Sequence, residues 1–430
     1  MTDPNTILVI TVGGSYQPIV TAIKETAPAF ISFICSERDP GTGKPGSNIQ
    51  ILGQGNVIKA KQQDDKPNLP NIPTQLGLSC EQFNVVTVAA DDLDNAFVTL
   101  LATLESFREK FPRSRLIADY TGGTKSMSAA LVLAALEVDG VELELVTGNR
   151  ADLIKVRDGT QYIATAISDA VRLHRSMAPH LNSWKRFAYD EAAAGLEAIP
   201  VPQNTAFRHR LFRARDLSRA FAAWDRFDHE EARRLLDNYA PVTAQELQPH
   251  INMLRAITGV SPRREPTLLF DLWRNAERRA AQGRYDDAVA RVYRLVEWSA
   301  QWFLRSRFAL DCSDIPAEKI PDGVTLSPGR DGKIQAPLFA SWELVGKLST
   351  GPFSSFFSTH RKGLLDHLKI RNHSILAHGL TPITFDQWKI FSALCNDFFI
   401  PVLAEESGVK PTPQLPQRYL WEVSETGHDR

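Results

Sequence analysis

Hydrophobic positions along the chain fall into two regimes. Up to about residue 168, short apolar runs rich in β-branched residues recur: TILVITV (6–12), AFISFIC (29–35), NVVTVAA (84–90), RLIADYT (115–121) and VELELVTG (141–148). Apolar runs of this kind suit strands covered on both faces, as in a parallel sheet. Between them the period changes. Leu93, Phe97, Leu100, Leu101, Leu104 and Phe107 form a helical stripe behind Asp91–Asp94, a group that can cap the helix start. A second helix is predicted from about Lys125 to Val138, with Gly140 as its stop, and DLIKV (152–156), Asp158-Gly159 and QYIATA (161–166) read as a hairpin. Strands alternating with helices predict βαβ units with right-handed crossovers, so this part is expected to be a Rossmann-like α/β domain with a mainly parallel sheet.

After residue 168 strand patterns vanish and helical stripes run to about residue 310, then resume after a loop over 316–337 and continue to about Glu405. The expected organisation is an α/β domain over 1–168, helices over 169–267, a second helical domain over 268–410, and a polar, frayed tail over 411–430. Residues 37–79 are rich in Gly, Pro, Asn and Gln and read as a long insertion, a form that lids and binding loops often take.

Composition narrows the function classes. In 430 residues, 49 basic against 50 acidic side chains leave a formal charge of −1, which argues against a protein that coats nucleic acid non-specifically. The arginine-rich stretch FRHRLFRARDLSRAF (207–221) fits a solvated helix face better than an RNA track. Four cysteines lie far apart with no C-x-x-C pair, which speaks against a disulfide framework or a cysteine-rich zinc site and fits a reducing cytoplasm. No apolar stretch approaches the roughly 20 residues that span a bilayer, so no membrane role is expected.

Ligands of open α/β sheets bind beyond the carboxyl ends of strands. Two such ends carry unusual loops: Thr11-Val12-Gly13-Gly14-Ser15-Tyr16-Gln17-Pro18 after the first strand, and Asp119-Tyr120-Thr121-Gly122-Gly123-Thr124-Lys125-Ser126-Met127 after the fourth. Glycine pairs let backbone N–H groups approach an anion, and a helix that starts just afterwards presents its positive dipole end. Thr124, Ser126 and Lys125 add hydroxyls and a cation, which favours a phosphate-bearing ligand. The first loop lacks G-x-G-x-x-G, and Thr124 stands where a Walker A loop has glycine, so neither is a standard nucleotide motif. A GGS loop after the first strand, followed by a D-x-TGGTK-x-M segment opening a helix, resembles the CARF domain, the Rossmann-like sensor of CRISPR-associated proteins. The resemblance covers about 1–168 and implies binding of cyclic oligoadenylate across a homodimer. Its implied ligand contacts are Gly13, Gly14 and Ser15, then Thr121, Gly122, Gly123, Thr124 and Lys125.

The other candidate chemistry lies in LLDHLKIRNHSILAHGLTP (364–382). On one helix, Arg371 and His378 would share a face about 10 Å apart along the axis, with Gly379 as cap and Pro382 as terminator. A guanidinium to hold a phosphate, a histidine to move protons and Asn372 to orient them are parts for phosphodiester cleavage without a metal. His373 is a secondary candidate; His360 and His367 read as surface residues. No H-E-x-x-H, clustered carboxylates or G-x-S-x-G accompany the motif, which disfavours a metal nuclease or a serine hydrolase. RNHSILAHG resembles the Arg-Asn-x(n)-His signature of HEPN ribonucleases, over about 268–405, with GRYDDAVARVYRLVEWSAQWFL (283–304) matching their long early helix.

Together the two resemblances are similar to the CARF–HEPN family of type III CRISPR ancillary ribonucleases. They imply a homodimeric, metal-independent endoribonuclease that takes no cofactor, is activated by cyclic oligoadenylate and cuts single-stranded RNA to 2′,3′-cyclic phosphate ends. Arg371, Asn372 and His378 would be its catalytic set. Two alternatives stay open: a ring nuclease that degrades the cyclic ligand, and a non-catalytic sensor signalling through its helices.

Overall fold

The computed structural model describes residues 5–38, 41, 43, 45–53, 70–148, 160–239, 244–377 and 379–419. The chain divides into two compact units, Met1–Arg172 and Leu173–Arg430.

The first unit is a six-stranded sheet in the order β3-β2-β1-β4-β5-β6. Its strands are β1 (Thr6–Thr11), β2 (Phe30–Ser36), β3 (Phe83–Val88), β4 (Arg115–Asp119), β5 (Val141–Thr147) and β6 (Tyr162–Thr165). Pairing is parallel except between β5 and β6. QYIATA therefore supplies an antiparallel edge strand against β5; residues 152–156, its expected hairpin partner, lie outside the described residues. The helices of this unit are α1 (Tyr16–Thr26), α2 (Ile49–Leu52), α3 (Ile72–Leu76), α4 (Leu93–Lys110) and α5 (Lys125–Glu137). Side chains alternate across the central strand: Ile7 and Val9 pack with Leu100, Leu104 and Leu131, whereas Leu8 and Ile10 pack with Ile19, Ile51 and Ile72. Burial on both faces is why β1 has no polar alternation. Asp92 caps α4 by accepting the Asn95 N–H at 2.9 Å.

The second unit is helical: α6 (Asp169–Asn182, entered from the first unit), α7 (Tyr189–Glu197), α8 (Thr205–Asp225), α9 (His229–Asp237), α10 (Ala244–Thr258), α11 (Arg264–Ala281), α12 (Tyr285–Phe308), α13 (Leu338–Leu348), α14 (Pro352–Asn372), α15 (Phe385–Leu394) and α16 (Ile400–Ser407). A π-helical turn, Cys395–Phe399, joins the last two. The unit has two apolar cores, one around Trp184, Phe221 and Trp224, the other around Trp273, Trp342 and Phe353. Between them sits a buried ionic cluster. Arg278 of α11, with no exposed surface, bonds Asp225 at 2.7 Å and reaches Asp271 at 3.4 Å. Asp271 also accepts from His229 at 2.8 Å and Trp224 at 3.0 Å.

The arginine-rich stretch lies on α8, whose Leu211, Ala214, Leu217 and Phe221 are buried while Arg215 and Arg219 pair with Glu197. The tail, expected to fray, is anchored as far as residue 419. Gln414 bonds the Arg274 carbonyl and accepts from Arg278, Tyr189 donates to the Pro416 carbonyl at 2.6 Å, and Leu415 and Tyr419 are buried.

Candidate functional site

Strand order reverses between β1 and β4: β2 and β3 extend to one side, β5 and β6 to the other. Such a switch point opens a crevice beyond the strand ends, and both glycine loops sit there. The loops are locked to each other. Thr11 Oγ1 donates to the Gly122 carbonyl at 2.8 Å, and Ser128 Oγ donates to the same carbonyl at 2.7 Å. A Cβ on Gly122 would stand 2.2 Å from the Thr11 carbonyl oxygen, and one on Gly13 would stand 2.8 Å from the Gly123 nitrogen. Glycine is required here first for the backbones to touch, and at Gly123 also for a φ of +83°.

The eight implied ligand contacts thus separate by what already occupies them. Thr121 Oγ1 accepts the Val146 N–H at 2.6 Å, and Thr124 Oγ1 caps α5 through the Met127 N–H and donates to the Ala90 carbonyl. Gly13, Gly122 and Gly123 hold the loop interface. Gly14, Ser15 and Lys125 are exposed, with Ser15 at the start of α1 and Lys125 at the start of α5.

Further residues with no role expected from sequence support these loops. Gln50, fully buried on α2, donates to the Gly14 carbonyl at 3.2 Å, which ties the base of the 37–79 insertion to the first loop. Reciprocal bonds between Ser36 and Ser47, each backbone N–H donating to the other's hydroxyl at 2.9 Å, pin the same segment to the end of β2. Asp119, the last residue of β4, is fully buried and accepts the Thr121 N–H at 2.8 Å. Burial pushes its carboxyl up to about 6; the Thr121 bonds oppose the rise and neighbouring Glu144 adds to it. Glu144 is itself paired with Arg115 at 3.2 Å.

That shift has a sign. With the folded pKa above the unfolded value, the folded protein binds the extra proton between the two, and stability falls as pH rises through about 6. Asp119→Asn keeps the acceptor for Thr121 and removes the buried charge. The variant should be more stable than the parent by about 2 kcal/mol at pH 8 and nearly equal to it at pH 4. Urea midpoints at the two pH values check this, and an equal difference at both would refute it.

In the second unit, Arg371 lies in the last turn of α14. Its guanidinium sits 4.7 Å over the ring of Tyr293 on α12, and its Nη1 is 3.4 Å from Asn372 Oδ1. A cation held on an aromatic face keeps its planar fork oriented while its other edge stays available. Asn372 and His373 are exposed.

The expectation that Arg371 and His378 share one helix is not met. The helix ends at Asn372, with His373 as its cap, six positions before 378. Asn, His and Ser in succession favour local bonds over helix, and the chain turns at once: Ser374 N–H bonds the Arg371 carbonyl at 3.0 Å, and Thr381 N–H bonds the His373 carbonyl at 3.1 Å. Gly379 is not the helix cap but a packing glycine, since a Cβ there would stand 2.0 Å from the His373 carbonyl oxygen. His378 lies outside the described residues. His360, expected at the surface, is half-buried between the rings of Phe356 and Phe398. Among the described residues no group of three His, Cys, Asp or Glu side chains could hold a metal ion, and no helix is long and apolar enough to cross a membrane.

The segment that carries Arg371 has a family match. Residues 257–400 match the Csm6 HEPN domain. Among solved structures, Enterococcus italicus Csm6 bound to cyclic hexa-2′-fluoro-hexa-dAMP is similar in fold, with a TM-score of 0.55 over 94% of each chain at 11% identity. No curated protein matches the chain. Both matches are to proteins named Csm6, one in sequence over residues 257–400 and one in fold, and they agree with the resemblance that the two motifs carry. The fold is accordingly a mainly parallel α/β sheet domain followed by helices that match the Csm6 HEPN domain. That match begins within α10, so it takes in all of α11 and α12 as well as the arginine motif.

Proposed function

We propose that the chain is a type III CRISPR ancillary ribonuclease that cyclic oligoadenylate activates and that cuts single-stranded RNA. The observation that carries this reading is the Arg371-Asn372 end of α14, a guanidinium mounted on Tyr293, inside the segment that matches the Csm6 HEPN domain. In the proposed reaction the RNA 2′-oxygen bonds to the adjacent phosphorus as the bond from phosphorus to the 5′-oxygen breaks. His378 serves proton transfer between these oxygens, leaving a 2′,3′-cyclic phosphate and a 5′-hydroxyl. Arg371 holds the charge that gathers on the phosphoryl oxygens, and Asn372 orients the guanidinium. None of these roles needs a metal.

One Arg-His set is a thin site, and two sets meeting in a homodimer would complete it. Exposed Ile375, Leu376 and Leu380 beside the motif support a second copy there, since clustered apolar side chains at a surface favour association. Cyclic oligoadenylate is proposed to sit over the two glycine loops, with Gly14, Ser15 and Lys125 toward its phosphates and the N-termini of α1 and α5 adding positive potential. The domain roles follow: sensor over 1–168, helices over 169–267, nuclease over 268–410.

The test is incubation of labelled RNA with a panel of cyclic oligoadenylates in EDTA. Activator-dependent cleavage is expected, and activity that returns only with a divalent metal would refute the mechanism. Lys125 is the one cation within either glycine loop. Lys125→Ala should weaken activator binding roughly tenfold to a hundredfold, as loss of a charge-assisted phosphate contact does. Unchanged affinity by calorimetry would place the phosphates elsewhere.

A further inference from the structure

We infer that the groove between the start of α14 and the π-helical turn is a subsite for one nucleobase of the RNA strand, built on the exposed ring of Phe398. The inference rests on the ribonuclease reading above and deepens it. The groove is open to solvent, offers about 570 Å³, room for a base and its sugar, and is lined by Ser355, Thr359, His360, Asp397, Phe398 and Glu405.

The ledge lies within the π-helical turn. There Phe399 lies in the core, stacked on Phe353, while its neighbour Phe398 is 47% exposed. Such turns inside helices cluster at functional sites. Phe398 is not a loose ring. It lies 4.5 Å from His360, which lies 5.2 Å from buried Phe356, so rings run from the core to the surface and fix the outermost one. A rigid aromatic face open to solvent is what single-stranded nucleic acid stacks on, whatever the base.

The rim decides which part of the strand enters. Asp397 and Glu405 repel phosphates, so the backbone passes outside and only a base reaches the ring. Carboxylates accept hydrogen bonds and donate none when ionised. Of the bases, guanine presents two adjacent N–H donors on one edge and is the best match for a carboxylate. His360 precedes Arg371 by three turns on α14, about 16 Å along the axis and within about 20° of the same face. A base held here therefore belongs to a nucleotide a few positions from the cleaved bond, and the subsite acts on affinity and cutting position rather than on the chemical step.

The experiment uses the full chain with activator, RNAs in which one guanine is moved stepwise along the strand, and an uncleavable 2′-O-methyl copy for binding. Phe398→Ala should raise KM and the Kd of the uncleavable strand roughly tenfold and leave kcat within about twofold, while Phe398→Trp keeps both. Asp397→Asn should flatten the preference for the guanine position. Equal Kd for wild type and Phe398→Ala would overturn the subsite while leaving the ribonuclease reading in place. A monomeric Phe398→Ala protein would overturn it too, by making this face a subunit interface. If the wild type cuts no RNA, the ribonuclease reading falls, and equal binding of the uncleavable strand to both proteins then removes the subsite as well.

Discussion

Arg371→Ala should lower single-turnover RNA cleavage by roughly a hundredfold to a thousandfold, the usual cost of removing one preorganised charge from a reacting phosphoryl or acyl group. Affinity for cyclic oligoadenylate should not change, because the glycine loops belong to the other compact unit. Arg371→Lys should recover little. The guanidinium sits 4.7 Å over the Tyr293 ring, and a planar, weakly hydrated cation suits an aromatic face in a way that an ammonium on a flexible stem does not reproduce. If His378 is the proton carrier proposed above, His378→Ala should be comparably damaging, and Asn372→Ala milder, since the proposed part of its amide is to steady Arg371. Near-normal turnover in Arg371→Ala would take that residue out of the mechanism. Tyr293→Leu offers a finer check: its effect should fall on kcat if the ring serves to orient the cation rather than to bind the strand.

Arg278→Ala should produce the largest loss of stability, about 3–5 kcal/mol, for a physical reason unrelated to catalysis. The guanidinium is fully buried and serves Asp225 and Asp271 together, with Gln414 as a third partner. Its removal takes a buried cation from between two carboxylates in a site closed to water, leaving Asp271 with His229 and Trp224 and Asp225 with Asn275 and Arg279. Breaking a buried pair from one side costs far more than the pair itself contributes. Urea midpoints measure this on the whole chain. A drop below about 1 kcal/mol would mean that water or a neighbouring arginine fills the gap, with Arg279, which also pairs with Asp225, the obvious substitute.

Legibility in the sequence tracked the distance between interacting residues. The strands were readable because β-branched runs covered on both faces carry their own signal, and α4 because its stripe follows a capping aspartate; their observed bounds differ from the expected ones by only a few residues. The crevice was legible as two glycine loops. What those glycines do was not, because the Thr11–Gly122 approach joins residues 111 positions apart. Asp119 lies within its motif, yet its burial depends on neighbouring strands. Gln50 and Tyr293 gave no local signal. The end of α14 was misplaced because a seven-residue spacing looks helical on paper, whereas Asn372, His373 and Ser374 turn the chain aside. The anchored tail was read as loose because its polar composition hides that Gln414 is a partner for Arg274 and Arg278.

The anchored tail also sets an order of events during synthesis. Gln414 and its neighbours leave the ribosome after every helix of the second unit has been made, yet Arg274 donates to the Thr412 carbonyl, Arg278 to Gln414 and His250 to the Gln414 carbonyl. Until that segment emerges, buried Arg278 and His250 and half-buried Arg274 each lack one of their bonds, and the helices can collapse without reaching their final packing. A stalled or clipped nascent chain that ends before residue 412 would therefore carry the whole arginine motif on an unfinished scaffold. For a protein proposed to destroy RNA, residues 412–416 would then act as a proofreading step, withholding a fully packed nuclease unit from copies that stop short of them.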